Sequence, residues 1–448
     1  MIQQARIGVK VEETDAAVTG LGGIPVLVNL AHEMGLFKDV DALLPAKERD
    51  RGYAPSASVF DLMLIPYAGV ECIDDLAVLR ADQGLGRLLH RTVMAPSTAH
   101  DFLRRIQYVG LEGLGHVRRR QLTHIARSQH PTQATLDCDA SLFTSRSPMA
   151  QMSYTGQRGW MPMLAFWAEL NLVVNDDFRQ GSMAPQSDAL NFLKETVAQL
   201  PKAVTRIYVR SDSAWYQKDV LDYCEENGYG FAITADKDEA VMQGLAQTTQ
   251  GDWQRINVPA DPNDPEEYVR EWACESVHTM NGSPHAYRII FLRKERRQGD
   301  LFEGVYTYGA IITNRDDLSL EELIAWHRQR CNCENHIKEL KYGFSLNSLP
   351  SADFFVNALY FRIQTLGYNL VSALKLIKLP DTWRPFTLKT LRFRLIAIPA
   401  LVVKHARGLW LKINREHPYL PILKPLLAQR LMLTPPRRFD TPTMPVFR

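Results

Sequence analysis

Hydrophobic residues recur at intervals of three and four along the first 125 residues, as they do on amphipathic helices. The pattern is clearest in the stretches FDLMLIPYAGV, CIDDLAVLR and GLGRLLHRTVM. Thr98, with Asp101 three residues later, predicts a capped helix start that leads into FLRRI. We therefore expect a helical N-terminal region over residues 1–125. It is either a helix-turn-helix DNA reader or an ordinary helical domain with a solvated basic face.

From about residue 133 the periodicity changes to the alternation of β-strands, in which successive side chains face opposite sides. TLDCDA is the first predicted strand and places Asp137 and Asp139 on one face. The elements predicted after it are strands at MLAFWAELNLVV and FRQGSM, a helix at ALNFLKETVAQL, a strand at TRIYVRSD, a helix at WYQKDVLDYCEENG and a strand at YGFAITA. This order of strands and helices is the order of a ribonuclease-H-like domain.

A polar, turn-rich stretch, PADPNDPEE, then interrupts that order, with predicted strands at YVREWACESV and YRIIFLRKE. The core resumes with a strand at YTYGAIITN and one long helix from Ser319 to Tyr342, and the chain after Pro350 reads as helical, including the basic stretch KHARGLWLKINR. The expected fold class is α/β, with a ribonuclease-H-like catalytic core, an inserted β subdomain, and helical N-terminal and C-terminal regions. The predicted division is 1–125 for the N-terminal region, 133–236 with 306–345 for the core, 237–305 for the insertion and 350–448 for the C-terminal region.

The composition is that of a folded globular protein of two or three domains, with 448 residues of which 46% are hydrophobic and 23% charged. Because the net charge is only +2, any DNA binding would depend on local basic surfaces. One candidate is the run Arg118–Arg120, which either contacts DNA phosphates or forms a solvated face. No apolar run reaches the roughly 18 residues of a membrane span, and the N-terminus lacks the apolar core of a signal peptide. Six scattered cysteines suit a reducing compartment, so we expect a cytoplasmic protein.

Two aspartates stand at the ends of predicted strands. Asp139 ends the first strand and Asp212 the fourth, so their carboxylates converge if these strands are neighbours. Carboxylate oxygens are ligands that Mg²⁺ prefers, and two such ions roughly 3.5 to 4 Å apart assist phosphodiester cleavage. Each aspartate also has an ordinary interpretation, since Asp212 is placed to cap the next helix and Asp139 to lie on the surface.

A third acid lies in the helical stretch WHRQRCNCENHIKELK. Around an α-helix, Glu334 lies about 40° and Lys341 about 20° from Arg330, so the three residues form one stripe. A carboxylate between two cations at this spacing suits a metal site in which the cations bind neighbouring DNA phosphates. Ordinary i,i+4 ion pairs on an exposed helix explain the same spacing.

This stretch resembles the Y-x2-R-x3-E-x6-K signature of the DDE transposases of the insertion-sequence superfamily that includes the hairpin-forming enzymes. Arg330, Glu334 and Lys341 match the signature residue by residue, and His327 occupies the tyrosine position. LDCDAS resembles the first-aspartate motif and VRSDSAWY the second. GVECIDDLAVLRADQGL and PSTAHDFLRRI resemble the N-terminal region of the DDE group 1 transposases. The resemblance thus covers most of the chain in the expected order.

The resemblance implies that Asp139, Asp212 and Glu334 are the catalytic residues and the metal ligands. In the family pattern a small residue and a hydroxyl residue follow the first acid, as Ala140 and Ser141 follow Asp139. We therefore choose Asp139 as the first acid, with Asp137, on the same face of the strand, as the fallback. The resemblance also implies DNA phosphate binding by the basic residues of the signature, Arg330, Lys341 and His327.

The implied reaction is hydrolysis at transposon ends with two Mg²⁺ ions, for which Mn²⁺ is able to substitute, followed by attack of the freed 3′ hydroxyl on target DNA. The implied partners are the terminal inverted repeats, the target DNA and a second copy of the chain, with a hairpin intermediate, DNA binding by the N-terminal region and association with the bacterial nucleoid. Trp253 and Trp272 are candidates to hold a flipped base or belong to the core of the insertion. The alternatives are an inactive sequence-specific DNA-binding protein and a nuclease of the same fold without strand transfer.

Overall fold

The computed structural model describes residues 9–46, 52–259, 268–300, 304–406 and 408–428. The α-helices of these ranges are α1 Ile24–Glu33, α2 Leu36–Leu43, α3 Pro55–Ala68, α4 Leu76–Ala81, α5 Gln83–Leu89, α6 Pro96–Gln129, α7 Ala189–Gln199, α8 Lys218–Glu226, α9 Glu239–Ala246, α10 Leu320–Arg328, α11 Asn332–Tyr342, α12 Phe354–Ile377, α13 Leu388–Leu391 and α14 Leu420–Ala428. The strands are β1 Val18–Thr19, β2 Gln133–Ala140, β3 Phe143–Thr144, β4 Gln151–Met152, β5 Arg158–Trp160, β6 Met163–Trp167, β7 Leu172–Asp177, β8 Arg206–Ser211, β9 Gly230–Thr234, β10 Gln254–Ile256, β11 Tyr268–His278, β12 Tyr287–Asp300, β13 Gly304–Thr313, β14 Ala400–His405 and β15 Gly408–Lys412. All but the first residue of PADPNDPEE and residues 429–448 of the predicted C-terminal region lie outside the described residues. No helix within the described ranges is long and apolar enough to cross a membrane.

Apart from the short strand β1, the regular elements in the described part of the N-terminal region are helices, and the longest of them is α6. The predicted cap at Thr98 is wrong, because α6 begins at Pro96 and no side chain caps it. Proline suits the first helical position, where its fixed φ fits the helix and its missing N–H would have had no partner. The backbone of α6 leaves helical geometry at Gln107, where φ is 34°.

The largest sheet of the described residues has nine strands in the order β10-β11-β12-β13-β9-β8-β2-β6-β7. At its centre β2 pairs in parallel with β8 and antiparallel with β6, and β8 pairs in parallel with β9. Leu136 and Cys138 are fully buried on one face of β2, as the alternation in TLDCDA predicts. The expected α/β class is confirmed in this coarse form, a large mixed sheet combined with helices.

The strands that follow β2 differ from the prediction. MLAFWAELNLVV is not one strand but two, β6 and β7, joined by a tight turn. Asn171 takes the left-handed conformation in that turn, with φ at 51°, which asparagine tolerates better than most residues. FRQGSM forms no strand and contributes one isolated bridge, from Gln180 to Trp160. The small sheet β3-β5-β4 lies in a segment for which no strands were predicted.

The strands after β9 extend the same sheet. β13 pairs antiparallel with β9, and β12, β11 and β10 follow outward from it. The helix α9 was not predicted.

The long helix predicted from Ser319 to Tyr342 is wrong as one continuous α-helix. The described chain forms α10, then a 3-10 turn at Gln329–Cys331, then α11. Ser319 caps the start, and Glu322 accepts hydrogen bonds from its backbone N–H and its hydroxyl in return.

The C-terminal region is not wholly helical, which corrects the prediction. The helix α12 is buried along almost its whole length and packs against α6. The basic stretch KHARGLWLKINR, however, supplies the end of β14 and the whole of β15, an antiparallel hairpin. β14 also pairs with β1, so the two ends of the described chain meet in one small sheet.

The run Arg118–Arg120 is neither one DNA-contacting patch nor a uniformly solvated face. Arg118 is buried and pairs with Asp176 on β7, which also accepts a hydrogen bond from Arg362 on α12 at 3.0 Å. Arg120 pairs with Asp39. These ion pairs tie α6 to the edge of the large sheet and to the other helices.

Candidate active site

Asp139 and Asp212 lie side by side at the ends of neighbouring parallel strands. Cys138 on β2 is in register with Ser211 on β8, so the next residue on each strand is one of the two aspartates. Adjacent strands are about 4.8 Å apart, which puts the two side chains within reach of one ligand. The Ser211 hydroxyl fixes this strand end by donating to the Cys138 carbonyl oxygen at 2.8 Å.

Electrostatic interactions link Asp139 to Asp212 and, more weakly, to Glu334. Burial, and then the negative charge of Asp212, raise the pKa of Asp139 to about 7, and Glu334 acts in the same direction. Burial also raises the pKa of Asp212, against the nearby positive charge of Arg330. We call Asp139, Asp212 and Glu334 the acidic site.

Arg330 is the cation of this site. Its Nη2 lies 3.3 Å from Glu334 Oε1, with the Arg330 side chain 14% exposed and that of Glu334 44% exposed. Burial lowers the pKa of Arg330, but the charges of Asp139 and Asp212 outweigh this effect and raise it. One guanidinium therefore interacts with all three carboxylates, and its single positive charge offsets only part of theirs.

The donor set suits a divalent cation in its chemistry, because all three side chains offer hard carboxylate oxygens. Burial, and then repulsion from Asp212, raise the pKa of Asp139, and a bound cation would offset that repulsion. Within the described ranges, however, no three His, Cys, Asp or Glu side chains form a ready metal cluster. Asp212 Oδ1 also accepts a hydrogen bond from the Ala214 N–H at 3.1 Å, so this residue caps the following turn, as its ordinary interpretation held. The two aspartates are thus the pair best placed to hold an ion, and Glu334 would have to leave Arg330 to join them.

The other signature residues lie around the acidic site. Lys341 Nζ donates to Ser141 Oγ at 2.8 Å and lies 4.8 Å from the centre of the Phe143 ring. Burial lowers the pKa of Lys341, while the charge of Asp139 raises it. His327 contacts Thr234, with Nε2 3.2 Å from its hydroxyl, and burial followed by the charge of Arg330 lowers the pKa of His327 to about 3. His327 is therefore neutral at physiological pH.

Asp137, the fallback for the first acid, is engaged elsewhere. It forms a buried ion pair with Arg210, a residue that the sequence interpretation missed. The signal was present, because Arg210 precedes Asp212 by two residues and so faces the same side of the sheet. A charged residue buried in a central strand requires a partner, and Asp137 lies opposite it in register.

Trp253 and Trp272, the two tryptophans proposed for a flipped base, lie on either side of one arginine. The guanidinium carbon of Arg293 is 4.6 Å from the ring centre of Trp253 and 4.8 Å from that of Trp272. Arg293 also stacks on Tyr306, at 5.2 Å. Both tryptophans therefore take part in a packed cluster of aromatic and cationic side chains on β10–β13, as the alternative interpretation of subdomain core expected.

Open space adjoins the acidic site on the side of Asp212. A cavity of about 480 Å³ is lined there by Asp212, Asp236, Tyr216 and Tyr154. Tyr154 is 73% exposed and stands at the tip of the β4–β5 hairpin. Asp212 is thus accessible from this cavity.

A family model described as transposase DDE domain group 1 matches residues 3–434. Among solved structures, the chain is similar to that titled "Cryo-EM structure of piggyBac transposase synaptic complex with hairpin DNA", with 10% sequence identity and a TM-score of 0.47. That similarity covers 85% of this chain and 82% of the other. No curated protein matches the chain.

Proposed function

Because the chain belongs to the family of transposase DDE domain group 1, we propose that it cleaves transposon ends and joins the freed 3′ ends to target DNA. The observation that carries this proposal is the convergence of Asp139 and Asp212 at the ends of two parallel strands, with Glu334 within electrostatic range. Asp139 and Asp212 are distant in sequence, and packing alone gives no reason for two carboxylates to lie side by side at a cost in repulsion. A site that binds metal ions for phosphodiester chemistry would explain this cost.

We further propose that the core is ribonuclease-H-like, with the division of the chain predicted from the sequence. Support comes from the order β7-β6-β2-β8-β9, in which the first core strand is central and the third and fifth lie outermost. β7, β6 and β2 pair antiparallel with one another in that order, whereas β8 pairs in parallel with β2 and β9 in parallel with β8. The strands β10, β11 and β12 then correspond to the inserted segment, and β13 corresponds to the strand with which the core resumes.

Each residue of the site has a role in this proposal. Asp139, Asp212 and Glu334 would hold the metal ions, which would supply activation of the attacking oxygen and stabilisation of the leaving oxygen. Arg330 exchanges its contact with Glu334 for a DNA phosphate, and Lys341 contributes a second phosphate contact. His327, being neutral, acts as a hydrogen-bonding group and not as a charge.

The proposed partners are the terminal inverted repeats, the target DNA and a second copy of the chain in the complex that joins the two ends. The proposed ions are two Mg²⁺, for which Mn²⁺ is able to substitute. Mg²⁺ is bound by few protein oxygens and keeps several waters, which matches a site with only three carboxylates.

The test is a cleavage and joining assay with a labelled transposon end, Mg²⁺ and target DNA. Glu334→Gln should abolish cleavage and leave end binding largely intact, because the amide keeps the shape but loses the charge. Glu226→Gln, at an exposed position on α8, is the matched control and should cleave like the wild type. Cleavage retained by Glu334→Gln would remove Glu334 from the site.

The same assay separates the alternative functions. A wild-type protein that binds the end without cutting it would be a DNA-binding protein without catalysis. Cleavage without joining would identify a nuclease.

A further inference from the structure

A buried ion pair lies directly behind the acidic site, two residues earlier on the same two strands. Asp137 on β2 and Arg210 on β8 are in register and share two hydrogen bonds. Arg210 Nε donates to Asp137 Oδ1 at 2.7 Å, and Nη2 donates to Oδ2 at 2.8 Å. The side chain of Arg210 is 2% exposed and that of Asp137 is 3% exposed. Two parallel hydrogen bonds fix the plane of the guanidinium as well as its position.

The remaining nitrogen of Arg210 reaches out of the sheet to the end of α10. Nη1 donates to the Trp326 carbonyl oxygen at 2.6 Å and to Gln329 Oε1 at 3.4 Å. The Trp326 carbonyl oxygen also accepts from the backbone N–H of Gln329, and a cation further stabilises the C-terminal end of a helix. The guanidinium carbon also lies 5.2 Å from the centre of the Trp326 ring. Arg210 therefore attaches β8 to the point where α10 ends.

The segment attached in this way leads directly into the acidic site. The 3-10 turn Gln329–Cys331 contains Arg330, and Glu334 follows in the first turn of α11. A second contact comes from the Cys333 thiol, whose Sγ lies 3.9 Å from the Asp137 carbonyl oxygen. A displacement of this turn would move Arg330 and Glu334 together.

We propose that Asp137 and Arg210 are positioning residues, which hold the turn so that Arg330 and Glu334 face the two aspartates of the acidic site. The proposal rests on the proposed function of that site. Stability alone is a poor reason for such a pair, because desolvation offsets most of the attraction and apolar residues of similar volume serve as well. Apolar residues would not supply the donor that the Trp326 carbonyl receives.

The test compares Asp137→Asn and Arg210→Lys with the wild type in single-turnover cleavage of a labelled transposon end. Groups that orient metal ligands from behind change affinity or activity by about 10- to 100-fold when replaced. We expect a loss of that size in the cleavage rate at saturating protein, a higher Mg²⁺ requirement, and a half-saturating protein concentration close to that of the wild type. The lysine variant keeps the charge but lacks the forked geometry, so it should also be impaired.

Asp61→Asn is the matched control, because Asp61 is likewise buried and paired with an arginine, Arg91, but lies in the N-terminal helices. It should lose thermal stability as Asp137→Asn does, yet keep the wild-type rate and Mg²⁺ requirement. Hydrogen exchange of the backbone amides around Gln329 and Glu334 gives a readout that needs no activity, and it should accelerate in Asp137→Asn but not in Asp61→Asn. Wild-type exchange and Mg²⁺ dependence in both site variants, or equal effects in the control, would overturn the proposal. Absence of cleavage by the wild type would refute the proposed function instead, and the exchange comparison would still test the positioning role.

Discussion

The cost of ionising Asp139 leads to a quantitative prediction for the stability of the protein. Burial, followed by the repulsion from Asp212, raises the pKa of Asp139 from 3.8 to about 7, a shift of about three units. At about 1.4 kcal/mol per unit, ionising Asp139 in the folded protein costs roughly 4 kcal/mol more than in the unfolded chain. Asp139→Asn removes this charge and keeps the shape of the side chain.

The sign of the effect follows from proton binding. Between about pH 4 and pH 7 the folded protein holds a proton on Asp139 that the unfolded chain has released, so wild-type stability falls as the pH rises through this window. Asp139→Asn does not lose stability in this way, because its amide does not ionise. Its free energy of unfolding relative to the wild type should therefore grow by up to about 4 kcal/mol from pH 4 to pH 7 and stay constant above.

The measurement is urea denaturation of both proteins in a metal chelator at several pH values across that range. Asp74→Asn, at an exposed position far from the acidic site along the chain, controls for the general effect of replacing an aspartate by an amide. A gap between Asp139→Asn and wild type that does not change with pH would refute the reasoning, because it would show that Asp139 ionises without the cost assigned to it.

Two further predictions concern metal and DNA. Because a proton competes with the metal ion for Asp139, the Mg²⁺ concentration for half-maximal cleavage should rise by about tenfold for each unit below pH 7, and a Mg²⁺ requirement independent of pH would contradict this. Lys341→Met should weaken end binding for all sequences alike and reduce the slope of log affinity against log salt by about one, as measured by fluorescence anisotropy. An unchanged slope would show that Lys341 serves only its contact with Ser141.

The part of the site that lies on strands was predictable from the sequence. Strand alternation is strict, so burial of Leu136 and Cys138 forces Asp137 and Asp139 to the other face of β2. The strand that ends at Asp212 was equally clear from its β-branched and aromatic residues. Two carboxylates were thereby placed at strand ends, although only the register of the sheet shows that these ends are neighbours.

The errors in the fold arise where turn signals were weak or were outweighed. Residues 168–171 form the β6–β7 turn without Gly or Pro, so MLAFWAELNLVV read as one strand. In KHARGLWLKINR the basic residues suggested a solvated helix, whereas Gly408 marks the start of a strand and the exposure of β15 alternates from residue to residue. The sequence itself does not alternate there, because Leu409, Trp410 and Leu411 are three hydrophobic residues in succession, and only the folded chain shows which of them face out.

The helix predicted from Ser319 to Tyr342 was wrong as one element, yet it correctly placed Arg330 and Glu334 next to each other. Nothing in WHRQRCNCENHIKELK demands a break, since it contains neither Gly nor Pro, and the turn at Gln329–Cys331 coincides with a tertiary contact, the hydrogen bond from Arg210 to the Trp326 carbonyl. The residues flanking the turn, Arg328 and Asn332, nevertheless keep right-handed helical dihedral angles. Arg330 and Glu334 consequently remain one turn apart and in contact. Helical periodicity therefore predicted correctly that Arg330 and Glu334 are neighbours, despite the 3-10 turn. Where these residues lie relative to the sheet depends on tertiary contacts, which the periodicity does not contain.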